Sequence, residues 1–325
     1  MDKFVYSLGL IVLGMILGQT LKAFTVKGII KPSIQMEKYI KLLQDISLLG
    51  LVPVISMGAF WALKIDNMIF ISLPFLGVAG FVIGGGSALT AARFLKLNKK
   101  QRGSMFVSGC FANLTSFGGL ICYVFLGEIS YGFVSMYKLF EEVFYYTIGF
   151  PIAKSFGDYD KEDTSAVSNL VRLLLDPYII VSFLSISIGT SLNISGVARP
   201  ELYKTINAVF IPLSSLLLVT SVGYNMKFSA VGNYLRECFI ITVIKFVATP
   251  LLITTAAYLL GLGTIHDGLV LKVVMILSAM PPAFNSLIPP QIYNLDKDLA
   301  NSSWLFNTGA LAVVLPVLYF VQKSI

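Results

Sequence analysis

Ser278-Ala-Met-Pro-Pro-Ala-Phe-Asn-Ser-Leu-Ile-Pro-Pro290 cannot be a continuous helix, yet it lies inside an apolar run long enough to cross a bilayer. Pro281 and Pro282 remove two backbone donors and clash with the preceding turn. A second such stretch is Phe111-Ala-Asn-Leu-Thr-Ser-Phe-Gly-Gly-Leu120. Asn113, Thr115 and Ser116 make it polar, and Gly118-Gly119 are poor helix formers. Lipid supplies no hydrogen-bond partners, so irregular backbone at that depth survives only inside protein or along a cavity. Both runs are expected to unwind near mid-membrane. The half-helix after each break would present free N–H groups and a positive dipole end. Two such ends, brought together, make an anion site with no obligatory arginine. The candidate substrate-binding residues are therefore Asn113, Thr115, Ser116, Gly118, Gly119, Pro281, Pro282, Asn285 and Ser286. The plainer alternative is a pair of kinks, with Thr115, Ser116 and Ser286 bonding their own helices.

The rest of the chain sets these breaks in a membrane protein. Of 325 residues, 56% are hydrophobic and only 13% charged; mean hydropathy is +0.81. Soluble domains carry roughly 25% charge, so this chain cannot cover itself with water-facing surface. Its apolar runs are of the length, roughly 17–25 residues, that spans a bilayer core. They must be helices, because the short alternating segments of a barrel do not dominate. The expected spans are 4–23, 46–63, 69–95, 101–125 and 131–156, then a polar linker over 157–172. Five more follow: 177–193, 203–226, 238–262, 269–293 and 299–321. The fold class is thus an all-α polytopic membrane protein of ten transmembrane helices.

Five spans on either side of a linker suggest a duplication, 1–156 and 173–325. Span two contains Leu51-Val-Pro-Val-Ile-Ser56, and span seven Phe210-Ile-Pro-Leu-Ser-Ser215. Spans three and eight each hold a lone proline, Pro74 and Pro250, and spans four and nine each hold a break. An odd number of spans per repeat forces the halves into opposite orientation, the inverted-repeat plan of many secondary transporters. Of the 24 Lys and Arg, 16 fall at the loops after odd-numbered spans and four after even-numbered ones. The odd-numbered loops are expected in the cytoplasm and both termini outside it. The net charge of +7 has the same origin and does not call for nucleic acid.

Four ionisable residues fall deep within spans, away from their ends. Lys138, Glu141 and Glu142 sit in span five and Lys245 in span eight. Such groups are costly in lipid and are functional candidates by default. Lys138 is three and four residues from the glutamates, the spacing of a neutralising pair. Alternatively, one glutamate carries a coupling proton. Lys245 either snorkels to the interface or faces the cavity as a counter-charge. Asn225 and Asn307 read as hydrogen-bond makers between helices, Gly84-Gly85-Gly86 as a close-packing site, and His266 as a surface residue.

Enzyme signatures are missing: there is no His-Glu-x-x-His, Gly-x-Ser-x-Gly or nucleotide loop. No catalytic residue, metal or cofactor is assigned. Cys110, Cys122 and Cys238 lack metal spacing and read as buried small hydrophobes. The first apolar run has no clear cleavage site and reads as a retained span.

Several motifs together resemble the auxin efflux carrier family, which includes plant PIN proteins and many bacterial permeases. They are Arg102-Gly103 leading to Phe111-Ala-Asn113 and Ser116-Phe-Gly-Gly119; Tyr145-Tyr-Thr-Ile-Gly149; Asp176-Pro-Tyr-Ile-Ile180; Ser221-Val-Gly223; and Ala279-Met-Pro-Pro-Ala283. Asn294-Leu-Asp296, Asn301-Ser-Ser303 and Asn307-Thr308 complete the match. The resemblance implies a fold shared with bile-acid sodium symporters: two inverted five-helix repeats whose helices four and nine cross. It implies a scaffold of helices 1, 2, 6 and 7, and a transport unit of helices 3–5 and 8–10 that moves elevator-fashion. Substrate would bind near Asn113 and Pro281. In two places the chain departs from the family. Gly118 is followed by Gly119-Leu120 where the family commonly has a proline, and Glu141-Glu142 is no family feature. The short linker fits a prokaryotic permease.

The function expected is secondary transport of small carboxylates, malate- or malonate-like or indole-type acids, across the cell membrane. Expected partners are that anion and the lipid bilayer. A proton or sodium ion is the candidate coupling ion, and a second copy of the chain the candidate partner in a homodimer. Alternatives are a sodium-coupled bile-acid-type symporter, which spans four and nine disfavour by lacking an acidic cage, and a non-transporting receptor or sensor.

Overall fold

The computed structural model describes residues 2–28, 33–63, 68–157, 177–226 and 231–324. Among them every regular element is helical. Eight helices are long and apolar enough to cross a membrane: Val5–Val26, Met36–Ala62, Met68–Phe94, Lys99–Leu126, Pro177–Ile194, Leu202–Asn225, Gly232–Leu259 and Lys297–Ser324. They coincide with eight of the ten expected spans, and Lys99–Leu126 is itself interrupted after Cys110. The fifth and ninth expected spans are broken into shorter pieces, so neither presents an uninterrupted helix of spanning length. Most of the expected linker lies outside the described residues.

The span boundaries carry a physical lesson in proline. Helices beginning at Val52, Phe150 and Thr249 each place a proline, Pro53, Pro151 and Pro250, at their first turn. Each follows a π-helical turn, at Ile46–Leu51, Tyr145–Gly149 and Ile244–Ala248 respectively. A proline has no N–H for the preceding turn and its ring crowds that turn's carbonyl. The wider π turn relieves the clash while the chain continues in the same direction. Span two is also longer than expected. The charged stretch Ser33–Asp45 is helical and runs directly into it.

The chain forms two compact units. The first comprises Met1–Asp66, Thr115–Ser135 and Leu175–Met226. In it, Asp2–Val26 packs along Leu202–Asn225. Gln19 donates to the Gly223 carbonyl at 2.6 Å, and Lys22 donates to the Met226 carbonyl. A cation there meets the negative end of the helix dipole. Pro177–Ile194 lies against Val52–Ala62. Glu128 accepts from Arg199 at 2.5 Å and from Asn207 at 2.7 Å. Asn193 donates to the Trp61 and Leu63 carbonyls at 2.7 and 2.9 Å, closing the end of the Val52–Ala62 helix.

The second unit comprises Asn67–Leu114, Met136–Leu174 and Lys227–Ile325. Ser72–Phe94 and Lys99–Cys110 pair as a hairpin, turned by Lys96 at φ 54°. Asn98 caps the second helix reciprocally with Gln101. The glycine run does what close packing requires: a methyl group at Gly84 would overlap the Gly109 carbonyl, and one at Gly109 would overlap Gly84 and Ala88. Lipid gives no hydrophobic drive between helices, so backbone-to-backbone approach through small residues supplies the attraction. A hydrophobic cluster of Ala88, Ala92, Met105, Ile241, Ile244 and Leu299 fills the space beside the hairpin.

Candidate functional site

Two breaks meet in the second unit. Helix Lys99–Cys110 ends where Phe111 turns extended, at φ −82° and ψ 136°. Helix Leu269–Ser278 ends at Ala279, and the chain is irregular from Met280 until Ala283, extended at φ −68° and ψ 157°. The Asn113 N–H donates to the Pro281 carbonyl at 2.9 Å, and the Ala283 N–H donates to the Phe111 carbonyl at 3.3 Å. The two interruptions thus satisfy each other by a reciprocal pair of backbone bonds. Pro281 and Pro282 bring no donors to be satisfied, which is why a double proline is tolerated here.

Side chains complete the accounting around Phe111–Asn113. The Ala112 N–H donates to the Tyr145 hydroxyl at 2.9 Å, and that hydroxyl donates to the Ala112 carbonyl at 3.2 Å. The Ala112 carbonyl also takes a local bond from the Leu114 N–H at 3.0 Å. Lys245 is 1% exposed, and its Nζ makes long bonds to the Phe111 and Gly109 carbonyls, at 3.2 and 3.4 Å. Of the two readings of Lys245, the snorkelling one fails. The ammonium sits at the carbonyl end of helix Lys99–Cys110, where a cation opposes the negative dipole end. The Tyr145 ring is held by Phe111, centroids 4.1 Å apart, and by Phe81 at 5.0 Å.

The expected site residues divide between the units. Asn113, Pro281, Pro282, Asn285 and Ser286 belong to the second unit; Thr115, Ser116, Gly118 and Gly119 belong to the first. Asn113 and Ser286 are buried, and Asn285 is half-buried. Ser286 Oγ has no hydrogen-bond partner among the described residues. Thr115 and Ser116 lie in a π turn, Leu114–Gly118, that leads into helix Gly119–Leu126. After the other break comes a 3-10 turn, Phe284–Leu287, and then only five residues of helix, Ile288–Ile292, opened by Pro289 and Pro290. The second half-helix is therefore shorter than an aimed dipole would want, because four prolines fall within ten residues.

Span five bends at Lys138–Phe140, between helices Ser130–Tyr137 and Glu141–Phe144. Just before the bend, the Tyr137 carbonyl lies so close over Gly77 that a methyl group there would overlap it. Glu141 is 8% exposed, with Tyr145, Lys138, Glu142 and Lys245 in electrostatic reach. Glu142 and Lys138 are half-buried. The four intramembrane charges thus gather around one end of the break. Tyr145 joins them. It looked like one more core aromatic, and its place four residues after Glu141 was the only available signal.

Further buried polar atoms lie outside the expected site. Ser108, Ser302 and Ser303 hydroxyls, Trp304 Nε1 and Asn307 Oδ1 are buried with no partner among the described residues. Asn307 and Asn225 were expected to bond between helices. Instead their amides donate one turn back, to Ser303 at 2.8 Å and Ser221 at 2.9 Å. A side-chain amide reaches its own helix's free carbonyl lone pair more easily than a neighbouring helix. His266 is exposed in a turn and stacks on Phe70. The three cysteines are buried thiols, and among the described residues no cluster of His, Cys, Asp and Glu could hold a metal ion. No protein-family model matches the chain, and no curated protein matches it.

Proposed function

We propose that the chain is a secondary transporter of small organic anions, with the substrate carboxylate held at the paired breaks. The single observation that carries the proposal is the reciprocal bonding of Asn113 to Pro281 and of Ala283 to Phe111. Extended backbone is costly in an apolar helical protein and is kept where it is buried in protein or lines a cavity that a solute can enter. Asn113 and Asn285 supply amides, Ser286 a hydroxyl, and Lys245 a buried positive charge on the same segment. Together these offer a carboxylate donors and a favourable field without a surface arginine.

In this account the chain resides in the cell membrane with both termini outside, and its two inverted repeats cross at spans four and nine. Substrate passes as the transport unit moves against the scaffold. Malate- and malonate-like acids and indole-type acids are the substrate classes to test. A thermal-shift screen of such acids on the purified chain, with and without sodium and across pH, tests the proposal. A ligand that binds only the folded state adds about 2.7 kcal/mol at a hundredfold excess over Kd. A carboxylate should raise the melting temperature of wild type, and Asn113→Ala should shrink that rise while leaving the unliganded melting temperature nearly unchanged. An equal ligand shift in both proteins would remove Asn113 from the site.

A further inference from the structure

We propose that the turn joining helices Ser72–Phe94 and Lys99–Cys110 is a binding site for the anionic headgroup of a membrane phospholipid. The assignment needs the membrane class of the chain and not the transport reading. Arg93, Lys96, Lys99, Lys100 and Arg102 put five cations into ten residues, and no Asp or Glu occurs from Asn67 to Gly127. Basic clusters beside a membrane-crossing helix attract anionic lipid. The first helix of the pair belongs to Met68–Phe94, which is long and apolar enough to cross a membrane. The turn therefore sits where an apolar helix leaves the bilayer core.

Backbone bonds fix its shape. The Leu95 N–H donates to the Ala91 carbonyl at 2.9 Å, Lys96 to Arg93 at 3.0 Å and Leu97 to Ala92 at 3.1 Å. Lys96, at φ 54°, then turns the chain out of the helix. The Gln101 N–H donates to Asn98 Oδ1 at 2.9 Å and the Asn98 N–H to Gln101 Oε1 at 3.2 Å, which starts the next helix. Leu95 and Leu97 pack inward on the cluster of Ala88, Ala92 and Met105. The residues between them face out: Arg93, Lys96 and Lys99 are exposed, and Phe94 is 83% exposed. A phenyl ring held that far out is costly in water and favourable at the acyl edge of a bilayer. Lys100 is half-buried, and Arg102 Nε is taken by the Leu97 carbonyl at 2.8 Å. Among the described residues Arg93, Lys96 and Lys99 have no acidic partner. Asp296 is held beside the second helix by a 2.7 Å bond from the Ser104 hydroxyl to its carbonyl. Its carboxylate accepts from the Tyr234 hydroxyl at 3.0 Å and from the Leu299 N–H at 2.9 Å. Three unneutralised cations around one exposed ring match a phosphate diester above an acyl chain.

Phe94→Trp in the full chain puts a reporter at the ring's own position, and Trp61 and Trp304 give a background measured without it. Vesicles of one fixed mixture of phosphatidylglycerol and phosphatidylcholine carry bromine on the acyl chains of one lipid or the other. Quenching of the added emission is then compared. A headgroup phosphate about 4 Å from one of these cations gains about fivefold in local concentration in water. Equal quenching should therefore need about five times more brominated phosphatidylcholine than brominated phosphatidylglycerol. That preference should vanish in Arg93→Gln/Lys96→Gln/Lys99→Gln, whose changes all lie at exposed positions. It should vanish too in about 1 M salt, where the screening length is about 3 Å. Inorganic phosphate at matched ionic strength should leave it intact. Equal quenching by the two lipids, no quenching by either, or a preference that survives the triple substitution overturns the proposal. Displacement by inorganic phosphate overturns it as well, because the turn would then be a site for free phosphate. Carboxylate binding and exchange are read separately, so failure of the transport reading leaves the lipid result standing.

Discussion

Replacing Tyr145 by phenylalanine removes one oxygen and leaves the ring, stacked on Phe111 and tilted against Phe81, in place. The oxygen is the partner of the Ala112 N–H and one of two donors to the Ala112 carbonyl. The site is fully buried, with Tyr145 at 0% and Ala112 at 6% exposure. Orphaning a buried donor costs about 1–3 kcal/mol, and losing one of two bonds at an acceptor costs about 0.5–1.5 kcal/mol. A total of about 3 kcal/mol is expected, confined to the break, since helices Lys99–Cys110 and Gly119–Leu126 keep their own bonds. Each 1.4 kcal/mol is about tenfold in an equilibrium, so the Ala112 amide should exchange roughly a hundredfold faster with deuterium. Hydrogen-exchange mass spectrometry on peptides covering 108–116 reads this. Tyr258→Phe, on an exposed tyrosine, serves as the control and should change nothing there. Unaltered exchange in Tyr145→Phe would refute the hydrogen-bond accounting on which the break's description rests.

Other expectations are narrower. Lys245→Met should alter thermal stability by less than about 2 kcal/mol, since relief from burying a charge offsets the lost bonds. Lys245→Ala should be worse by a further 2 kcal/mol or so through the cavity it leaves; thermal unfolding in detergent ranks the two, and the reverse order would contradict the buried seat of Lys245. Gly84→Ala should destabilise by about 1–3 kcal/mol because its methyl group meets the Gly109 carbonyl. Gly86→Ala, which has open space around it, should be neutral, and equal melting temperatures would dismiss the close helix approach. Glu128→Gln should cost little, about 1 kcal/mol or less, because its pair with Arg199 is partly solvent-exposed; a larger loss in thermal unfolding would make that pair a structural keystone.

Much of the helical plan was legible because lipid makes hydropathy a direct readout of element length. Eight spans were placed to within a few residues by that signal, apart from the starts of spans two and eight, which lie about ten and six residues earlier. The start of span two was misread because Glu37, Lys38 and Lys41 make Ser33–Asp45 look like a loop. The two breaks were legible as well, since Pro281-Pro282 and the polar run at Asn113 leave few alternatives. What pairs with the breaks was not legible. The reciprocal bonds run between backbone atoms and carry no side-chain signature. Lys245 could equally have snorkelled, because its direction depends on which helix lies beside it. The close approach of the Tyr137 carbonyl to Gly77, some sixty positions away, leaves no mark in the sequence around the bend at Lys138. Ser302 and Ser303 were quoted only as motif and Asn307 was read as a bond maker between helices; their unpartnered atoms appear only when burial is known.

The most direct test of the central claim is counterflow of labelled malonate or malate in proteoliposomes, comparing wild type with Asn113→Ala. Wild type should accumulate label against unlabelled acid trapped inside, and the variant should lose most of that exchange while remaining folded. Absence of exchange for every small carboxylate in the folded wild-type protein, or full exchange in Asn113→Ala, would contradict an anion site at the paired breaks.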